Sequence, residues 1–149
     1  MLVDYGDLYN RIKALCDGED DVITKMATIA CEVYFADDRF DWVGFYRNVG
    51  NDTLKIGPYQ GGHGCLTIPF SKGVCGAAAR TKSVQLVADV DKYPGHIACS
   101  SSTESELVLP VMNRAGELLG VFDLDSNQRE AFKPMDAEKL ALILAEAFG

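Results

Sequence analysis

Apolar runs long enough to cross a bilayer are missing. A spanning helix needs roughly 20 consecutive apolar residues, and no stretch of this 149-residue chain approaches that length. Basic residues are scarce too, with 14 Lys and Arg against 22 Asp and Glu and a formal net charge of -8. Nucleic-acid affinity rests on cations clustered against phosphates, so that balance argues against a nucleic-acid partner and against an anionic membrane surface. The opening residues, Met1 to Asp7, have neither the basic nor the apolar segment of a secretory signal. The expectation is a soluble, cytoplasmic protein. Repeats, linkers, low-complexity tracts and any C-x-x-C spacing are also absent. The five cysteines are an odd number and cannot all pair within one chain. A chain of this size folds without covalent staples, so in a reducing compartment its cysteines point to catalysis, metal binding or packing.

What is present is an ordinary globular balance, 48% hydrophobic and 24% charged residues, expected to form a single domain over residues 1–149. Leu8, Ile12 and Leu15 recur three or four apart within residues 4–16, as do Ile23, Met26, Ile29, Ala30 and Val33 within 20–35; both stretches predict amphipathic helices. The period then changes. Trp42 to Tyr46 and Thr53 to Ile56 predict strands joined by a hairpin turn at Gly50-Asn51-Asp52. Leu66 to Phe70 predicts a short strand that Pro69 assigns to an edge or an end. A helix entry follows at Gly73, then a brief strand over 84–87, and a long loop from Ala88 to Glu104. A hairpin over 106–112 and 118–125, and a closing helix with Pro134 in its first turn, complete the chain. Helices segregated on an antiparallel sheet make this an α+β fold.

Three cysteines lie in loop-like or helix-entry settings: Cys65 after Gly61-Gly62-His63-Gly64, Cys75 between Val74 and Gly76, and Cys99 in the long loop. Cys16 and Cys31 sit in the helical region and suit packing. A thiol attacks only as thiolate, which a helix N-terminus or a positive charge favours; Cys75 has the first if Gly73 opens a helix, and His96 stands three residues before Cys99. Asp123 and Asp125 share a strand face, with Phe122 and Leu124 on the opposite, core face. The hairpin brings Glu106 beside them. These acids either face solvent or line one pocket, and in a pocket mutual repulsion keeps at least one carboxyl protonated at neutral pH. Trp42 and Tyr46 share a face across Gly44, which leaves space between them; the pair suits either core packing or the wall of an apolar pocket.

Taken together, Trp42–Tyr46, Gly57–Gly62, Cys65–Gly76, Tyr93–Cys99 and Phe122–Ser126 closely resemble the free methionine-(R)-sulfoxide reductases, a family of GAF domains. The likeness runs from about residue 20 onward, and the ordered set of three cysteines is its most specific part. It implies a GAF-like antiparallel sheet with helices packed on it, and an oxidoreductase acting on the free amino-acid sulfoxide with thioredoxin as reductant. It implies no cofactor and no metal. Carried over by position, Cys99 matches the nucleophile, Cys65 and Cys75 match cysteines linked to resolution, and Cys75 remains a rival for the first attack. Glu106, Asp123 and Asp125 match an acidic cluster near the sulfoxide. Trp42 and Tyr46 match an aromatic wall beside the substrate's methyl group, and the likeness also suggests a homodimer through the N-terminal helices.

The implied chemistry needs these residue types. A thiolate attacks the sulfoxide sulfur, a neutral carboxyl such as Glu106 protonates its oxygen, and the resulting sulfenic acid condenses with a second thiol to a disulfide that thioredoxin can reduce. The long loop would close over the substrate and open to the reductant. Two rival readings are a GAF sensor of a small molecule, whose phosphate ligands the acidic cluster would repel, and a zinc-type site built from His63, Cys65, Cys75, His96 and Cys99.

Overall fold

The computed structural model describes residues 2–149. Two helices lead the chain, α1 (Tyr5–Leu15) and α2 (Val22–Tyr34). Each is started by an aspartate whose carboxylate accepts a backbone N–H of the first turn, Asp4 from Asp7 and Asp21 from Thr24. The strands β1 (Trp42–Asn48) and β2 (Thr53–Gln60) follow, then β3 (Thr67–Pro69), α3 (Gly73–Thr81) and β4 (Gln85–Val87). The hairpin β5 (Ser105–Met112) and β6 (Leu118–Ser126) precedes the closing helix α4 (Pro134–Phe148). The turn between β1 and β2 is built as its residues predict, with Gly50, Asn51 and Asp52 all at positive φ.

All strands pair antiparallel in one six-stranded sheet of order β3-β2-β1-β6-β5-β4. The central strands come from the two hairpins, and Pro69 ends the edge strand β3, where no ladder partner is lost on its outer side. β2 continues past Ile56, where the expected strand stops, because a register shift against β1 absorbs Gly57 and Pro58 and pairing resumes at Tyr59 opposite Gly44. The long loop holds one regular turn, a 3-10 segment at Val90–Lys92.

The sheet is covered on both faces, and its alternation sorts the side chains. Val43, Phe45, Leu107, Leu109, Phe122 and Leu124 pack against α1, α2 and α4 in the larger core. Trp42, Tyr46, Val108 and Val121 face the other way, against α3 and the loops around it. α3 lies hard on β3: a Cβ at Gly76 would stand 2.8 Å from the carbonyl oxygens of Pro69 and Phe70, so only glycine permits that approach. Among the described residues no helix is long and apolar enough to cross a membrane.

One polar network ties the large core together. Arg39 donates to Asp37 at 2.9 Å, to both Asp136 carboxylate oxygens at 2.9 and 3.0 Å, and to the Ala131 carbonyl at 2.8 Å. The Tyr5 hydroxyl and the Lys133 N–H also donate to Asp136, at 2.5 and 2.7 Å. Burial pushes both carboxyls up, but the hydrogen bonds from Arg39, joined at Asp136 by Tyr5, outweigh it and hold them below the ordinary aspartate range. Arg39→Met strands two buried carboxylates and is expected to cost about 3–5 kcal/mol in urea unfolding. A lowered carboxyl contributes stability at neutral pH that is lost as pH falls below the ordinary aspartate value of about 3.9. Arg39→Met should therefore also flatten the acid limb of the stability profile.

Candidate active site

On the α3 face a cavity of about 220 Å³ opens between sheet, helix and loops. Strand register assembles its floor. Asp125 on β6 stands opposite Trp42 on β1 and Glu106 on β5, while Asp123 stands opposite Gly44 and Val108. Three carboxyls thus meet on neighbouring strands, Asp123 4% and Glu106 7% exposed. The pocket alternative left open by their spacing is the one realised, because α3 and the flanking loops cover the polar face that a lone hairpin would give to solvent.

Electrostatics follow from that burial. Desolvation pushes Glu106, Asp123 and Asp125 well above the usual carboxylate range, and the negative charge of neighbouring carboxylates pushes each further. None of the residues lining the cavity is Lys or Arg. Asp123 Oδ1 is buried and has no hydrogen-bond partner among the described residues.

The five cysteines separate clearly. Cys65 and Cys99, 34 residues apart, are joined in a disulfide with Cα atoms 5.2 Å apart, and Cys99 lines the cavity. Both cysteines are partly exposed. Cys75 stays a thiol, buried at the start of α3. The helix entry expected at Gly73 does form, yet it does not favour a thiolate there. Desolvation, followed by the charges of Asp123, Glu106 and Asp125, pushes the Cys75 thiol well up. Cys16 and Cys31 are free and lie outside the cavity lining, in the helical region. The five-residue donor set His63, Cys65, Cys75, His96 and Cys99 does not gather, since two of its sulfurs are bonded to each other; the cavity groups that do gather are Cys75, Glu106 and Asp123.

The aromatic wall differs in detail from its sequence reading. The space over Gly44 is filled by Trp42 itself, whose ring would stand 2.6 Å from a Cβ there. The indole stacks on Tyr46 with centroids 5.8 Å apart and on Tyr59 at 5.3 Å, and its N–H donates to the Gly62 carbonyl at 2.7 Å. Tyr59 lies beyond the strand register shift, where the alternation of residues 53–56 no longer predicts its face. Trp42 and Tyr46 both line the cavity.

The long loop supplies the roof. Ile97 packs against Gly73, and His96 turns toward the acids with Nε2 3.3 Å from Glu106 Oε1. Burial lowers the His96 pKa, partly offset by Asp91, so the ring is held neutral. Its position three residues before Cys99 suggested help to that thiol; the contact is with Glu106 instead, and no spacing rule relates residues 96 and 106. Ser100, Ser102, Thr103 and Asn127 complete the rim. The arrangement places a disulfide, three carboxyls held well above their usual range and an aromatic wall around one cavity.

A model of the GAF domain matches residues 16–148. The chain is 49% identical over 102 residues to the free methionine-R-sulfoxide reductase of Saccharomyces cerevisiae, a match spanning 67% of this chain and 57% of that protein. It is 36% identical over 142 residues to the free methionine-R-sulfoxide reductase of Escherichia coli, covering 95% of this chain and 85% of that one. The structure of free methionine-R-sulfoxide reductase from Neisseria meningitidis in complex with its substrate superposes with a TM-score of 0.88 at 37% identity, covering 97% and 87% of the two chains.

Proposed function

Because the chain belongs to the GAF-domain family and, within it, to the free methionine-R-sulfoxide reductases, we propose that this oxidoreductase reduces free L-methionine-(R)-sulfoxide, as a single catalytic domain. The observation that carries the reading is the Cys65–Cys99 couple beside a cavity floored by carboxyls that burial pushes well above their usual range.

In the reduced enzyme the Cys99 thiolate attacks the sulfoxide sulfur while Glu106 gives its proton to the sulfoxide oxygen. The oxygen passes to Cys99 Sγ as a sulfenic acid and methionine is released. The Cys65 thiol then attacks Cys99 Sγ, forming the disulfide and expelling the oxygen as water. Two electrons come from the thiol pair, and the disulfide then accepts two from a dithiol reductant of the thioredoxin class, which is itself oxidised to a disulfide. Partial exposure of Cys65 and Cys99 supports access by such a protein. Asp123, through its unpartnered oxygen, and Asp125 receive the substrate's ammonium group. Trp42 and Tyr46 hold its S-methyl group. The 88–104 segment acts as the lid, and its disulfide to Cys65 links closure to oxidation. Apolar side chains exposed at Leu15, Ile23 and Phe35 support a homodimer through the first two helices. A thiol cycle of this kind fits a reducing, cytoplasmic setting.

Separated epimers test the reading. With a dithiol reductant, the free R-sulfoxide is expected to turn over and the free S-sulfoxide to fall at least about a hundredfold lower in kcat/KM. The S epimer exchanges methyl and oxygen between aromatic wall and acids, and misplacing a reacting group costs about that factor. Equal turnover of both epimers, or of neither, would remove the proposal.

A further inference from the structure

The acidic cavity holds one group that the proposed reaction leaves idle. Cys75 remains a buried thiol while its two neighbours are paired, and its Sγ and one oxygen each of Glu106 and Asp123 all lie within 4.8 Å of one another. The three come from α3, β5 and β6, so the sheet and the helix packed on it fix their approach. A second observation points to something arriving from outside: Asp123 lines the cavity, and its Oδ1 is buried with no hydrogen-bond partner among the described residues. A buried acceptor without a partner is costly. No lining Lys or Arg supplies a counter-charge.

One thiol and two carboxylates form the donor set of a borderline-soft divalent cation; magnesium and calcium take oxygen ligands instead. Ligands bound to zinc at about 2.0–2.3 Å in a tetrahedron lie about 3.3–3.8 Å apart. Side-chain rotations closing at most about one and a half ångström would therefore complete the site. His96 already contacts Glu106 and would orient that ligand from the outer shell. We propose that Cys75, Glu106 and Asp123 form an inhibitory binding site for a zinc-class divalent cation, which takes the place of the substrate's ammonium group. The Cys75 proton, and any proton held by Glu106 or Asp123, leaves to solvent as the ion binds. Binding follows from the geometry alone; inhibition rests on the function proposed above.

The oxidised chain is the protein to test, because its Cys65–Cys99 disulfide removes those sulfurs as ligands. Titrated with Co²⁺ in the absence of reductant, it is expected to take one ion per chain with a thiolate-to-metal absorption band that Zn²⁺ abolishes. Cys75→Ser removes the band and weakens Zn²⁺ at least about tenfold, and the isosteric Asp123→Asn weakens Zn²⁺ by a similar factor with the band retained. Cys16→Ser and Cys31→Ser change neither. Absence of ion binding, or a band and affinity unchanged in Cys75→Ser, overturns the site. Free methionine-(R)-sulfoxide, its own binding measured by calorimetry, should raise the apparent Zn²⁺ Kd at least about tenfold at saturation. An ion bound at Cys75 but indifferent to a sulfoxide that does bind overturns the inhibitory role. An ion bound where the sulfoxide fails to bind counts against the function and leaves the site standing.

Discussion

Cys99→Ser is expected to abolish reduction of methionine-(R)-sulfoxide, lowering kcat by at least about 10³-fold, because a serine hydroxyl is a far weaker nucleophile near neutral pH and cannot hold the oxygen as a sulfenic acid. The decisive comparison is with the other two cavity cysteines. Cys65→Ser keeps the attacking thiol and loses the one bonded to it. It should release one equivalent of methionine per chain and stop, with one oxygen atom added at Cys99 by mass spectrometry. Cys75→Ser should retain multiple turnover, since its thiol is held protonated by burial and by three carboxyls and takes no part in the disulfide. Single-turnover release of methionine by Cys99→Ser, with none from Cys75→Ser, would exchange the roles of those two residues.

Much of this arrangement was legible in the chain, and the parts that were not share a cause. Helices and strands followed from a change of period between Val33 and Trp42, and the β1–β2 turn from three residues that tolerate positive φ. The placing of Asp123 and Asp125 opposite Phe122 and Leu124 also followed, since a strand alternates whatever surrounds it. That the acid face is buried did not follow. Phe122-Asp123-Leu124-Asp125 reads equally as a strand with one face in water, and its covering by α3 is set by contacts tens of residues away. The choice between Cys65 and Cys75 as the partner of Cys99 has the same character: it depends on how the 88–104 segment folds back. The His96–Glu106 contact and the filling of the Gly44 space by Trp42 are likewise products of packing, invisible to local pattern.

Glu106→Gln tests the proton side of the chemistry and separates it from stability. The variant keeps the shape and a hydrogen-bond donor toward His96, yet has no proton to give to the departing oxygen. Loss of a general acid is worth about 10²–10⁴ in kcat, and KM should move little because the proposed ammonium contacts are those of Asp123 and Asp125. Burial, then the charge of Asp125, pushes the Glu106 carboxyl well up, which favours the protonated acid that the proposed mechanism requires. In the wild type, kcat is expected to decline as pH rises through that raised value, and the decline should be missing from the residual activity of Glu106→Gln. Stability should respond in the opposite sense. A group whose folded-state pKa is raised contributes stability that is complete below its unfolded value and is lost as pH rises through the folded one. The wild type therefore carries a growing penalty toward alkaline pH that the neutral amide removes, and Glu106→Gln should be more stable there by on the order of 1 kcal/mol. Thermal unfolding at two pH values beside steady-state rates reads both effects. A slower but not more stable variant would mean that Glu106 is already ionised in the resting enzyme, and that another group of the cavity donates the proton.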